Sequence, residues 1–95
     1  MRTVGWGRTA KRELIGLCDW YGQLDPDLPA TLTERVDEAL AKLLDFPDIG
    51  SPVPDSNKRK WQPRRTPFVL FYRVQAGEIR VLKVRHVRSD WISGP

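Results

Sequence analysis

The chain has 95 residues, 40% of them apolar and 29% charged, which suits one small globular domain (residues 1–95) and excludes a two-domain enzyme. A single cysteine, Cys18, and a single histidine, His86, exclude an internal disulfide and a zinc-type cysteine–histidine cluster, so neither a metal nor a cofactor is expected. The net charge of +4 is unevenly spread: residues 1–56 hold six basic and ten acidic side chains, net −4, and residues 57–95 hold ten basic and two acidic ones, net +8. Such a division is expected either to turn the C-terminal half towards an anionic partner, nucleic acid or acidic protein, or to leave a solvated basic face. No apolar run reaches the roughly 18 residues of a membrane span, and residues 1–11 lack a secretion signal's apolar stretch. The expectation is a cytoplasmic protein without membrane contact.

In chain order, Val4–Trp6 reads as a short edge or outer strand, weakened by Gly5 and Gly7. Ala10, Leu14, Leu17, Tyr21 and Leu24 then recur at spacings of 4, 3, 4 and 3, one stripe of a helix that Ile15 and Cys18 widen. Thr9 is its expected cap, with Gly22 and Asp25-Pro26 its end. Leu32, Val36, Ala39, Leu43 and Phe46 repeat the spacing in a second helix. Its start is either Thr31, paired with Glu34 as a capping box, or Asp27 with Pro29 just inside. Two such stripes joined by a short loop predict an antiparallel helical hairpin.

After the proline-rich loop Gly50–Ser56 the period changes from 3.6 to 2. Lys58–Gln62 reads as a short basic strand, Phe68–Val74 as an apolar one, and Ile79–Val87 as its return across a Gln75–Glu78 turn containing Gly77. Alternation puts Phe68, Leu70, Tyr72 and Val74 on one face with Leu82, Val84 and His86, against the helices. It leaves Val69, Phe71 and Arg73 on the other with Ile79, Val81, Lys83 and Arg85. One hairpin of helices cannot cover both faces, so the second is expected to meet a partner.

The segments Phe46-Pro47-Asp48-Ile49-Gly50, Pro67–Val74 and Ile79–Trp91 carry a family resemblance. The chain resembles the RelE/ParE toxin superfamily across nearly its whole length, and specifically the ParE-type, plasmid-stabilisation branch. It departs where Ser89 stands between Arg88 and Asp90. The resemblance implies an α+β fold: an N-terminal strand, an antiparallel helical hairpin, then a three-stranded antiparallel run completing one small sheet. It also implies a type II toxin held in a hetero-oligomer by a small, acidic, partly disordered antitoxin, whose own N-terminal part binds operator DNA. The target is DNA gyrase in one branch of the superfamily and ribosome-bound mRNA in the other.

Chemistry separates these targets in part. RNA cleavage by 2′-OH attack needs a base, an acid and cations over the developing charge. Cations abound, but no Asp or Glu lies between Asp55 and Glu78, and where RelE-like relatives place a tyrosine six residues after an arginine, Arg85 is followed by Trp91. An indole exchanges no proton at neutral pH. A ribonuclease would have to use Lys58, Lys60, Arg85, His86 and Arg88. A gyrase inhibitor needs only a surface, expected at Arg73, Lys83, Arg85, His86, Arg88 and Trp91, because arginine and tryptophan dominate binding hot spots. His86 can equally be a histidine bonded within the fold, and Trp91 a plug over the sheet edge. The expected antitoxin contacts are Val69, Phe71, Ile79 and Val81 on the outer face, with Leu17, Tyr21, Val36 and Leu40 of the helical hairpin. The ParE-type resemblance implies a gyrase-inhibiting toxin, which the incomplete acid–base set favours, with a ribosome-dependent endonuclease or a non-toxic co-repressor as the alternatives.

Overall fold

A computed structural model of the protein describes residues 2–88. Strand β1 (Thr3–Trp6) leads into helices α1 (Arg8–Leu24) and α2 (Leu28–Asp45), and four strands follow: β2 (Ser51–Pro52), β3 (Lys58–Trp61), β4 (Phe68–Gln75) and β5 (Glu78–His86). They form one five-stranded sheet in the order β1-β5-β4-β3-β2. The run from β2 to β5 is antiparallel, whereas β1 lies parallel to β5, with Thr3 opposite Glu78 and Trp6 opposite Val81. The sheet is therefore mixed, because β1 is joined to β5 through the crossover that a parallel pair requires. Its first edge strand is the one expected at Val4–Trp6; β2, within the proline-rich loop, is too short for a periodicity to reveal.

Local chemistry sets the helix ends, and two differ from the sequence reading. The Gly7 N–H donates to Val81 O at 2.8 Å, so the sheet holds the chain until it turns directly into α1 and Gly7, not Thr9, is the N-cap. Gly22 does not stop α1 but lies inside it, where a Cβ would sit 3.1 Å from Pro29 Cγ; its missing side chain lets the two helices meet. Pro26 ends the helix. α2 starts from Asp27 with Pro29 in its first turn, and the Thr31 hydroxyl bonds back to Asp27 O instead of capping.

The core lies between the helices and one sheet face: Val36, Leu40 and Leu43 from α2, Ala10 from α1, Phe68, Leu70 and Tyr72 from β4, and Ile79, Val81 and Val84 from β5. Tyr72 is fully buried, and its hydroxyl donates to Pro47 O at 2.8 Å and accepts from the Gly50 N–H at 3.0 Å. Arg59 of β3 closes the same corner, donating to Asp48 O and Gly50 O and lying 3.8 Å from the Asp48 carboxylate. Here glycine is required: a Cβ on residue 50 would overlap the Tyr72 hydroxyl and approach Lys60 O to 2.9 Å.

A β-bulge corrects the strand faces. Phe71 pairs with Lys83, but the next residue, Tyr72, pairs with Val81, leaving Leu82 as the extra residue. A bulge shifts the side-chain phase of the strand that carries it by one position. Before the bulge, Ile79 and Val81 therefore point into the core, each with no exposed surface, while Leu82 is only half-buried. Strict alternation had put them the other way round. Val74 is also more open than its face implied, at 36% exposure near the hairpin end.

Candidate functional site

Three surfaces carry the candidate residues. The first is the sheet face away from the helices. Across it run the cross-strand row Lys58–Arg73–Arg80, the row Lys60–Phe71–Lys83, and the pair Val69–Arg85. Val69, opposite Arg85, is 6% exposed, and Phe71, between Lys60 and Lys83, is half-buried, so the face shows little open apolar surface at its centre. Glu78 is the acidic residue at this end, 3.7 Å from Arg80. Lys58, Arg73, Lys83 and Arg85 form no ion pair among the described residues, and the Arg73 Nε is buried there without a hydrogen-bond partner.

The second is the end of β5. His86 lies opposite Phe68 and stacks on Tyr21 of α1, the ring planes 13° apart. Its Nδ1 faces the Arg88 backbone N–H at 3.1 Å, and Nε2 lies 2.9 Å from the Tyr21 hydroxyl. A backbone N–H can only donate, so Nδ1 accepts and the ring proton sits on Nε2, donating to Tyr21. Both nitrogens are thus engaged within the fold. Beside this pair the Glu13 carboxylate accepts from the Val84 N–H at 2.9 Å, satisfying the β5 edge where β1 has ended. Arg85 is half-exposed and Arg88 exposed. Trp91, with Asp90, lies outside the described residues.

The third is an apolar groove of about 410 Å³ where Trp6 of β1 meets Leu14, Ile15 and Cys18 of α1, with Lys11, Asp19, Thr33 and Asp37 at its rim. Ile15 is 53% exposed. These are not the residues chosen from sequence for an antitoxin. Of that set, Ile79, Val81, Val36 and Leu40 are buried in the chain's own core, and Leu17 and Tyr21 are packed against it, so only the outer-face pair Val69 and Phe71 stays off the helical side. The sequence did hold a trace of the groove, since Ile15 and Cys18 make the α1 stripe wider than the core needs.

The sites are therefore a cationic sheet face, an arginine-bearing strand end and an apolar helical groove on one small α+β domain. This chain belongs to the family of ParE toxins of type II toxin–antitoxin (parDE) systems, whose model matches residues 4–91. It is similar to the candidate toxin Y4kP of Sinorhizobium fredii, 24% identical over 90 residues that cover 95% of this chain and 93% of that one. Among solved structures it is similar to a chain of the chromosomal ParDE toxin–antitoxin system of P. aeruginosa, with a TM-score of 0.78, 25% identity, and coverage of 90% of this chain and 96% of that one.

Proposed function

We propose that this ParE-family toxin arrests growth by inhibiting DNA gyrase, and that a cognate acidic antitoxin neutralises it in a hetero-oligomeric complex. Membership of the ParE family over residues 4–91 carries this reading. The site chemistry supports it. Both nitrogens of His86 are committed within the fold, and Glu78, the acidic residue of the cationic sheet face, lies beside Arg80. Proton transfer through His86 or Glu78 would have to displace one of these contacts, whereas inhibition by binding needs only a surface. Arg85 and Arg88 at the end of β5, with Arg73 and Lys83 behind them on the cationic sheet face, form the proposed target contact. The groove at Trp6, Leu14 and Ile15 is the proposed seat of an antitoxin segment that orders on binding.

The test is expression of the chain alone in a bacterial host. Filamentation and DNA-damage signalling, with protein synthesis initially intact and arrest relieved by the neighbouring antitoxin gene, are expected. Immediate loss of protein synthesis with cuts in ribosome-bound mRNA would overturn the gyrase reading in favour of ribonuclease action.

A further inference from the structure

The cationic face of the sheet is broader than any target contact read from sequence, because the register adds Lys58, Lys60 and Arg80 to it. We infer that this face binds the phosphate backbone of duplex DNA directly, independently of gyrase and of any antitoxin. Strands lie about 4.8 Å apart and successive same-face residues about 7 Å apart. Lys58 and Arg80 thus stand about 10 Å apart across the sheet, as do Lys60 and Lys83, and the two rows are about 7 Å apart. Flexible cationic side chains on such a grid can reach successive phosphates of one backbone, which carries a charge every 3.4 Å or so of helix axis.

Charge decides the sign of the partner, and the apolar content decides its class. Six cations share the face with Glu78, and the core's helices cover only the opposite side. An acidic peptide would need pockets for anchoring side chains, but Val69 is 6% exposed and Phe71 half-buried between Lys60 and Lys83. A single strand would call for open aromatic platforms on which bases stack. A surface of charge with little open apolar surface at its centre matches backbone contact, which is independent of sequence.

The experiment is fluorescence anisotropy of the full chain with a labelled 20-base-pair duplex of arbitrary sequence between 50 and 200 mM salt. With four to six phosphate contacts, affinity is expected to fall about 10²–10³-fold over that range. Lys58→Gln/Lys83→Gln is expected to flatten the log–log salt slope by about 2. The control Arg8→Gln/Arg12→Gln removes the same charge from exposed positions on α1, on the helical side, and should leave the slope unchanged. Melting curves confirm that both variants fold. No binding at 50 mM salt, or equal losses in the two variants, would overturn the proposal. So would tighter binding to a 20-residue polyglutamate probe than to DNA, which would identify the face as a docking surface for acidic protein. None of these results bears on whether gyrase is inhibited.

Discussion

Tyr72→Phe is the sharpest probe of how the fold is tied together. The substitution keeps the buried ring and removes one oxygen, which at present accepts from the Gly50 N–H at 3.0 Å and donates to Pro47 O at 2.8 Å. Gly50 is buried, so its N–H loses its partner away from water. Leaving a buried group unsatisfied costs about 1–3 kcal/mol; Pro47 O, at a half-buried residue, adds less, so the expected loss is about 2–3 kcal/mol. For a domain of this size each kcal/mol moves Tm by about 4–8 °C, so the variant should melt roughly 10–20 °C below the parent. Alkaline pH provides a second readout. Burial raises the Tyr72 phenol above its ordinary value near 10, and the Gly50 hydrogen bond and the Arg59 charge offset this only in part. An acid whose folded-state pKa is raised stabilises the fold fully below the unfolded value, and that contribution fades as pH rises towards the folded one. The parent should therefore lose stability above about pH 10, and Tyr72→Phe should lack that component of the loss. The assay is thermal melting by circular dichroism from pH 7 to pH 11. A variant within 2 °C of the parent at pH 7, with the same alkaline slope, would refute the account of this corner.

Three further outcomes follow from the geometry. Val81→Ala, emptying a fully buried position, should cost about 2 kcal/mol, whereas Leu82→Ala at the bulge should cost about 1 kcal/mol or less; the reverse order in denaturant melts would place the phase change elsewhere. Gly50→Ala, with no space for a methyl group against Tyr72 and Lys60 O, should cost about 1–3 kcal/mol, and Tyr72→Phe in the same chain should recover part of it, measured as a double-mutant cycle. Arg85→Ala/Arg88→Ala, both outside the core, should leave Tm within a few degrees of the parent but abolish growth arrest in colony counts at equal expression.

Most of the fold was legible because its signals are local. The 4, 3, 4, 3 stripes specify two helices, and Phe68–Val74 with its return strand specifies a hairpin whatever the tertiary context. The faces of β5 were not legible, since a single inserted residue inverts the phase of everything on one side of it, and no residue type marks Leu82 as the bulge. That inversion moved Ile79 and Val81 from a supposed partner surface into the core. It also put Arg80 outward, beside Arg73 and Lys58 on the cationic face. Gly22 looks like a local breaker, but what fixes it is a contact with Pro29 of the next helix, and Gly7 is fixed by its bond to Val81 O across the sheet. The groove escaped because it belongs to no single element, needing Trp6 beside the outer flank of α1. His86 was placed on the correct face, but its tautomer depends on an Arg88 backbone N–H that no side-chain pattern reports.

Gyrase inhibition is the central functional claim, and a supercoiling reaction tests it without the complications of a living cell. Purified toxin is added to DNA gyrase, ATP and relaxed plasmid, with and without the antitoxin. The expected result is a dose-dependent loss of supercoiled product that stoichiometric antitoxin restores. Undiminished supercoiling at a large molar excess of toxin, from a preparation that still arrests growth and cuts ribosome-bound mRNA, would contradict it.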